Sequence, residues 1–239
     1  MKYCKPKICV LLAALTATFV GCLGQDVPDI DVVGISTARP ELTAEPTAVP
    51  TEVPLPTDTP EPTPVTDPDP DHPYYLYVEK GSYTLTIYGK DENFNYTVPI
   101  SRYRVGHGGN KTPVGIFELS GERYRWHDFR LGGSVQYATP YWGGSLFIHS
   151  PLYGAQDPSR IWPSYYNGER GIGTSQTGGC LRMVTEAAKF IYDYCPAGTK
   201  LEIVNGSPRG TTSPDVPPIT KRGYDPTDKE ALEAANGGN

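Results

Sequence analysis

The chain of 239 residues has no run of 18 or more uncharged apolar residues, so no segment reads as a membrane-crossing helix. It has no Lys/Arg cluster, and its formal net charge is −6. The electrostatic footprint of a nucleic-acid binder is therefore missing. Histidine is scarce, with four residues, and neither His107, His127 and His149 nor Cys180 fall at zinc-ligand spacing. No cofactor is implied. Gly and Pro are not scarce: 26 and 25 residues, about a fifth of the chain, exceed what one compact domain uses and point to a composite molecule.

Cutting the chain by composition resolves that excess. Residues 1–25 carry Lys2, Lys5 and Lys7 and no acid, with an apolar stretch from Ile8 to Val20, the anatomy of an export signal. Phe19-Val20-Gly21-Cys22 follows in register and resembles a bacterial lipobox, although Phe19 departs from the usual Leu or Val. On this reading residues 1–21 are a lipoprotein signal peptide and Cys22 is the lipidated first residue of the mature chain, anchoring it to the membrane. The alternative is a plain signal peptide with an incidental Cys. Residues 26–72 contain eleven acidic residues, one basic residue (Arg39) and repeated Pro-Thr units, with no aromatic residue. Such a segment buries too little surface to offset its ordering entropy, so 22–72 is expected to be a disordered linker reaching at most roughly 150 Å. The acidity belongs to this linker, because residues 73–239 carry a net charge of +1.

Fifteen of the 17 Tyr and all three Trp lie within 73–205, a normal size for a single domain with its own core. Short β-branched and aromatic runs predict strands at Tyr74–Glu79, Tyr83–Tyr88, Phe94–Val98, Tyr103–Val105, Gly115–Leu119, Arg123–Phe129, Val135–Ala138, Ser145–His149 and Thr199–Val204. Only Val184–Cys195 has helical periodicity, with Thr185 as the expected cap and Pro196 as the stop. The fold class is mainly β, a sandwich or barrel-like core with one packed helix. Residues 206–239 are polar and Pro-rich and predict an unstructured tail with a short helix near Asp228–Ala235.

Two cysteines fall in the domain. Cys195 lies on the apolar stripe of the helix and reads as a small buried hydrophobe. Cys180 follows Thr177-Gly178-Gly179, a glycine turn that leaves a thiol accessible and lets backbone N–H groups converge as an oxyanion hole requires. A Cys180–Cys195 disulfide is the bland alternative, permitted in an exported protein. A nucleophilic thiol needs a base. His149 closes the apolar strand Leu146-Phe147-Ile148 and is placed at a sheet rim, whereas His107 sits in a glycine loop and His127 in a charged stretch. Gly106–Thr112 is rich in glycine but lacks the phosphate-loop spacing and reads as a turn between strands.

Three stretches then match one family in order: Lys111-Thr112-Pro113-Val114-Gly115-Ile116-Phe117, Phe147-Ile148-His149-Ser150, and Thr177-Gly178-Gly179-Cys180-Leu181-Arg182-Met183. Together they resemble the L,D-transpeptidase catalytic domain, with its TPxGxF, (I/F)H(G/S) and (S/T)xGC(I/V/L)R stretches. The order differs from papain-like enzymes, in which Cys precedes His. The resemblance implies an extracytoplasmic enzyme acting on donor and acceptor peptidoglycan stem peptides. Cys180 would attack the carbonyl between stem residues three and four and release D-alanine, His149 would move the proton, and an acceptor amine would resolve the thioester. Gly179 and Cys180 would supply oxyanion N–H groups, with Gly178 and Thr177 supporting the turn. Arg182 would hold a substrate carboxylate or serve structurally, and Ser150 would help orient His149. An L,D-carboxypeptidase and a non-catalytic wall-binding module are the alternatives. Two departures stand out: Gly178 occupies the place where many members carry a second His, and the His149-to-Cys180 interval is long. Tyr153–Thr174, with Trp162, Tyr165 and Tyr166, is expected to form a loop or lid over the cleft.

Overall fold

The computed structural model describes residues 64–237. The expected export signal, Cys22 and the expected linker up to residue 63 lie outside the described residues. The elements run β1 (Tyr74–Glu79), β2 (Thr84–Gly89), β3 (Val98–Arg104), β4 (Gly115–Glu118), β5 (Tyr124–Asp128), β6 (Ser134–Trp142), β7 (Leu146–His149), β8 (Leu181–Arg182), α1 (Thr185–Tyr194), β9 (Lys200–Val204) and α2 (Lys229–Gly237).

Alternation along β1 and β2 divides the first sheet into two buried faces. Leu76, Val78, Leu85 and Ile87 point into the main core with Leu201 and Ile203 of β9. Tyr75, Tyr77 and Tyr88 point the other way, where they pack with Tyr96 into a separate aromatic cluster. The strand order is β3-β2-β1-β9-β4, antiparallel except where β1 meets β9. The second sheet has the order β5-β6-β7-β8, with β7 and β8 parallel. Tyr137, Ile148, Leu181 and Met183 from this half join the same core, as do Ala187, Ala188 and Ile191 of α1. The protein is thus mainly β, two sheets sharing a core with one packed helix, as the alternation and the single helical period predict.

Three local expectations are corrected. Phe94–Val98 is not a strand up to Val98: Asp91 Oδ1 accepts from the N–H groups of Asn93 and Asn95 at 2.8 and 2.9 Å, an Asx-type turn that places Phe94 at φ 61°. β6 does not stop at Ala138 but runs through Pro140 to Trp142, with its register shifted between Pro140 and Trp142. Thr185 does not cap α1. It is the first helical residue, and the cap position, Val184, has no side-chain acceptor. The free N–H groups of Thr185 and Glu186 donate instead to Asp225 Oδ2 (2.7 Å) and Thr227 Oγ1 (3.1 Å).

Those acceptors belong to the segment expected to be an unstructured tail. It has little regular structure before α2, yet Asp225 and Asp228 are buried and Val216 and Ile219 pack on the main core. Polar and Pro-rich composition hid this docking, because the segment is held by side-chain hydrogen bonds rather than by an apolar stripe. At the other end, packing begins before Pro73: Tyr96 N–H donates to Val65 O (2.9 Å), and Tyr96 OH donates to His72 O (2.6 Å).

Candidate active site

The parallel pairing of β7 with β8 sets Ile148 beside Leu181 and His149 beside Arg182. Continuing that register by one residue puts Phe147 beside Cys180. Since alternate residues share a face, Phe147, His149, Cys180 and Arg182 all project to one side of the second sheet. His149 and Cys180 are then diagonal neighbours, with backbones about 8 Å apart from the strand spacing and rise. Both open into one cleft of about 630 Å³, which Arg182, Thr177 and Gly178 also line. Its walls are Phe129, Phe147, Leu152, Trp162 and Tyr165, with Arg130 and Leu131 at the turn between β5 and β6.

His149 is 1% exposed. Its Nδ1 lies 2.6 Å from Ser150 O, so Nδ1 carries the proton and donates to that carbonyl. Nε2 is then the basic nitrogen. Burial, reinforced by the nearby Arg182 charge, pushes the imidazole down to about 3, so the ring is neutral over the whole neutral range. Ser150 therefore orients His149 through its backbone carbonyl. Its hydroxyl is engaged elsewhere, accepting from Gln136 N–H (2.7 Å) and donating to Pro151 O (3.0 Å).

Cys180 is partly exposed, and Cys180 and Cys195 are both free thiols, which removes the disulfide alternative. Burial raises the Cys180 thiol above the ordinary range, while hydrogen bonds from the Phe147 and Cys180 backbone amides and the Arg182 charge pull the other way. At rest the cleft is thus lined by a thiol and a neutral imidazole. The turn before it is tightly fixed. Gly179 has φ 127°, and a Cβ there would stand 2.8 Å from both Leu146 Cδ2 and Lys111 O. Gly179 O accepts from Thr112 Oγ1 (2.8 Å) and Tyr141 OH (2.9 Å). The expected oxyanion role of Gly179 does not fit this geometry: its N–H donates to Thr177 Oγ1 (3.1 Å), and Thr177 Oγ1 donates to Cys180 O (2.7 Å). Gly178 has open space around its Cα, so nothing fills the position of the family's second imidazole.

Arg182 is 4% exposed and pairs with no carboxylate among the described residues. One guanidinium nitrogen donates to Arg170 O, and the group lies 5.2 Å over the Tyr165 ring. Its Nε is buried without a partner, and burial lowers the guanidinium to about 10. His107 is structural, accepting at Nδ1 from Gly109 N–H, donating from Nε2 to Lys80 O, and stacked on Tyr83. His127 lines the cleft, stacked against Phe147 with ring centroids 4.6 Å apart. The loop Tyr153–Thr174 forms a wall rather than a hanging lid: Tyr153 and Tyr166 are fully buried, and Trp162 and Tyr165 face the cleft. Among the described residues no group of three or more His, Cys, Asp or Glu side chains converges as a metal site.

Sequence reasoning missed the role of the Gly-rich turn. Gly106 exchanges both backbone hydrogen bonds with Arg182, at 2.7 and 2.9 Å, and a Cβ on Gly108 would stand 2.6 Å from Gly179 N. The turn is a cradle for the Cys180 loop, signalled only by its glycines lying next to the Thr112-Pro113 motif.

The YkuD family model, the L,D-transpeptidase catalytic domain, matches residues 73–203. The chain belongs to this family. A curated protein of Escherichia coli K12, the "Probable L,D-transpeptidase ErfK/SrfK", is 28% identical over 143 residues, covering 55% of this chain and 44% of that protein. The chain therefore spans less than half the length of that relative. Among solved structures, an L,D-transpeptidase of Stackebrandtia nassauensis is 13% identical, covers 60% of each chain and has a TM-score of 0.42. An L,D-transpeptidase of Mycobacterium smegmatis is also 13% identical, covers 55% of this chain and 58% of its own, and has a TM-score of 0.41. The L,D-transpeptidase family acts on peptidoglycan in the cell envelope, and Cys180, His149 and Arg182 stand in one cleft of this member.

Proposed function

We propose that the protein is a cysteine-dependent peptidoglycan L,D-transpeptidase with Cys180 as nucleophile and His149 as general base. The observation that supports this best is a neutral imidazole, its tautomer fixed by Ser150 O, sharing a sheet face and a cleft with a free thiol. His149 Nε2 takes the Cys180 proton as sulfur attacks the carbonyl carbon between stem residues three and four. The C–S bond forms, and the oxyanion collapses as Nε2–H protonates the departing D-alanine amine. An acceptor-stem amine then attacks the thioester, giving its proton to Nε2, and the amide cross-link forms as the thiol is restored. With Gly179 N–H engaged by Thr177 Oγ1, the oxyanion falls to the Cys180 N–H, which in the resting site points at its own sulfur. The buried, acid-free guanidinium of Arg182 suits a substrate carboxylate.

Incubation with a disaccharide-tetrapeptide followed by mass spectrometry tests the reading. Expected are release of D-alanine and a cross-linked dimer, both abolished in Cys180→Ala. Tripeptide without dimer identifies a carboxypeptidase, and sacculus binding without any turnover identifies a wall-binding module. Lipidation of Cys22 is proposed from its place after the signal, and radiolabelled palmitate incorporation lost in Cys22→Ser is the corresponding check.

A further inference from the structure

The two halves of the proposed catalytic pair sit on different elements, and one segment far along the chain bonds to residues next to both. Asp225 Oδ2 accepts from Thr185 N–H at 2.7 Å, three residues beyond Arg182 at the junction that carries Cys180. Asp225 Oδ1 also accepts from Tyr166 OH (3.2 Å), in the loop that walls the cleft. Three residues later, Asp228 Oδ2 accepts from Gln136 Nε2 at 2.9 Å. Gln136 is fully buried on β6 and is bonded twice to Ser150: its N–H donates to Ser150 Oγ (2.7 Å) and its carbonyl accepts from Ser150 N–H (3.1 Å). Ser150 O in turn holds His149 Nδ1. Asp225 and Asp228 are 1% and 3% exposed, so neither carboxylate is satisfied mainly by solvent.

We propose that residues 225–228 form a strap that sets the separation and orientation of the thiol and imidazole, with Asp228 as a positioning residue for His149 through Gln136 and Ser150. The inference rests on the reading of Cys180 and His149 as the reacting pair. A buried amide donor that loses its acceptor turns to find another. Gln136 can turn only by breaking the second hold on its side chain, Arg125 Nη1 at Oε1, and the β6 position so loosened is the one whose main chain pairs with Ser150 and so places the carbonyl that fixes the imidazole tautomer. A displacement of about 1 Å at a reacting group is enough to cost orders of magnitude in rate.

Asp228 also has an ordinary structural duty, because its Oδ1 accepts from Ala231 N–H (3.1 Å) at the start of α2. Three substitutions in the full chain separate the two roles. Asp228→Asn keeps a single acceptor oxygen, which can serve Gln136 or the helix but not both. Asp228→Ser retains the helix cap but is too short for Gln136. Asp228→Ala loses both. Positioning predicts kcat at least tenfold lower for Ser and Ala, with Asn between these and wild type, and KM within about twofold for all three. The hydrogen-bonded His149 Nδ1 proton, followed by 15N NMR, is expected to be sharp in the wild type and lost or broadened in Ser. Should Asp228→Ala not fold, the Asn and Ser pair carries the test alone. Asp228→Ser with wild-type kcat and an unchanged His149 Nδ1 signal overturns the proposal. If the wild-type chain shows no Cys180-dependent turnover, the transpeptidase reading fails separately, and the Nδ1 signal still decides whether the strap orients His149.

Discussion

His149 concentrates the electrostatics of the site in one ring. Its ordinary value is 6.5, and burial lowers it to about 3 in the folded protein. Between those limits the unfolded chain binds a proton that the folded chain refuses. The stability this group contributes is therefore complete above about pH 6.5 and is lost as pH falls toward 3, at up to about 1.4 kcal/mol per pH unit. Denaturant midpoints measured from pH 7 to 4 should fall more steeply for the wild type than for His149→Asn. Cys180 is shifted in the opposite direction, so its alkylation by iodoacetamide should rise only at pH values above the ordinary thiol range. The adjacent glycines differ just as sharply. Gly179→Ala forces a Cβ to 2.8 Å from Lys111 O at a positive φ, which should cost about 1–3 kcal/mol and abolish turnover. Gly178→Ala meets open space, and its urea midpoint should stay within experimental error of wild type.

At the scale of elements, the threonine of the Thr112-Pro113 motif acquires a reason. Thr112 Oγ1 accepts from Gly108 N–H (2.7 Å) and donates to Gly179 O (2.8 Å), tying the Gly-rich turn to the Cys180 loop. Thr112→Val keeps the shape but leaves the buried Gly108 donor without an acceptor. A loss of about 1–3 kcal/mol is expected, measured by urea unfolding, with a smaller loss for Tyr141→Phe because Gly179 O keeps one donor. What the sequence made legible follows the range of the interactions. His149 and Cys180 announced themselves through local pattern, an apolar strand ending in His and a Gly-Gly-Cys turn, and β7–β8 pairing brought them together. Asp228 and Gln136 meet across 92 residues, and Asp225 caps α1 from 40 residues away, through single polar contacts with no periodic signature. Phe94 illustrates the opposite error: an aromatic run reads as strand, but the Asp91 side chain offers its backbone a turn instead.

For the molecule as a whole, both ends of the described chain finish the same sheet. The outer face of β1 and β2 presents Tyr75, Tyr77 and Tyr88, a surface that would otherwise be a large exposed aromatic patch. Val65 packs on it from the linker side. From the tail side, the Arg209 guanidinium lies 3.8 Å from the Tyr77 ring centroid and 4.9 Å from that of Tyr88, and the Arg209 backbone N–H donates to Glu79 Oε1 (2.7 Å). Composition placed these segments outside the domain because neither is apolar, yet a cation over two tyrosines covers such a face without needing apolar residues. This cover lies on the face of the first sheet turned away from the shared core, and none of its residues lines the cleft of Cys180 and His149. Stability and catalysis should therefore separate here. Arg209→Ala is expected to remove about 1–2 kcal/mol of cation–π stabilisation, lowering Tm by roughly 3–8 °C, while kcat/KM measured well below the transition stays at the wild-type value. Asp228→Ser should differ, losing Tm through the unpaired Gln136 amide and, well below its transition, also losing at least tenfold in kcat. A scan of both variants by calorimetry and turnover distinguishes a tail that only covers the fold from one that also holds the proposed Cys180–His149 pair in place.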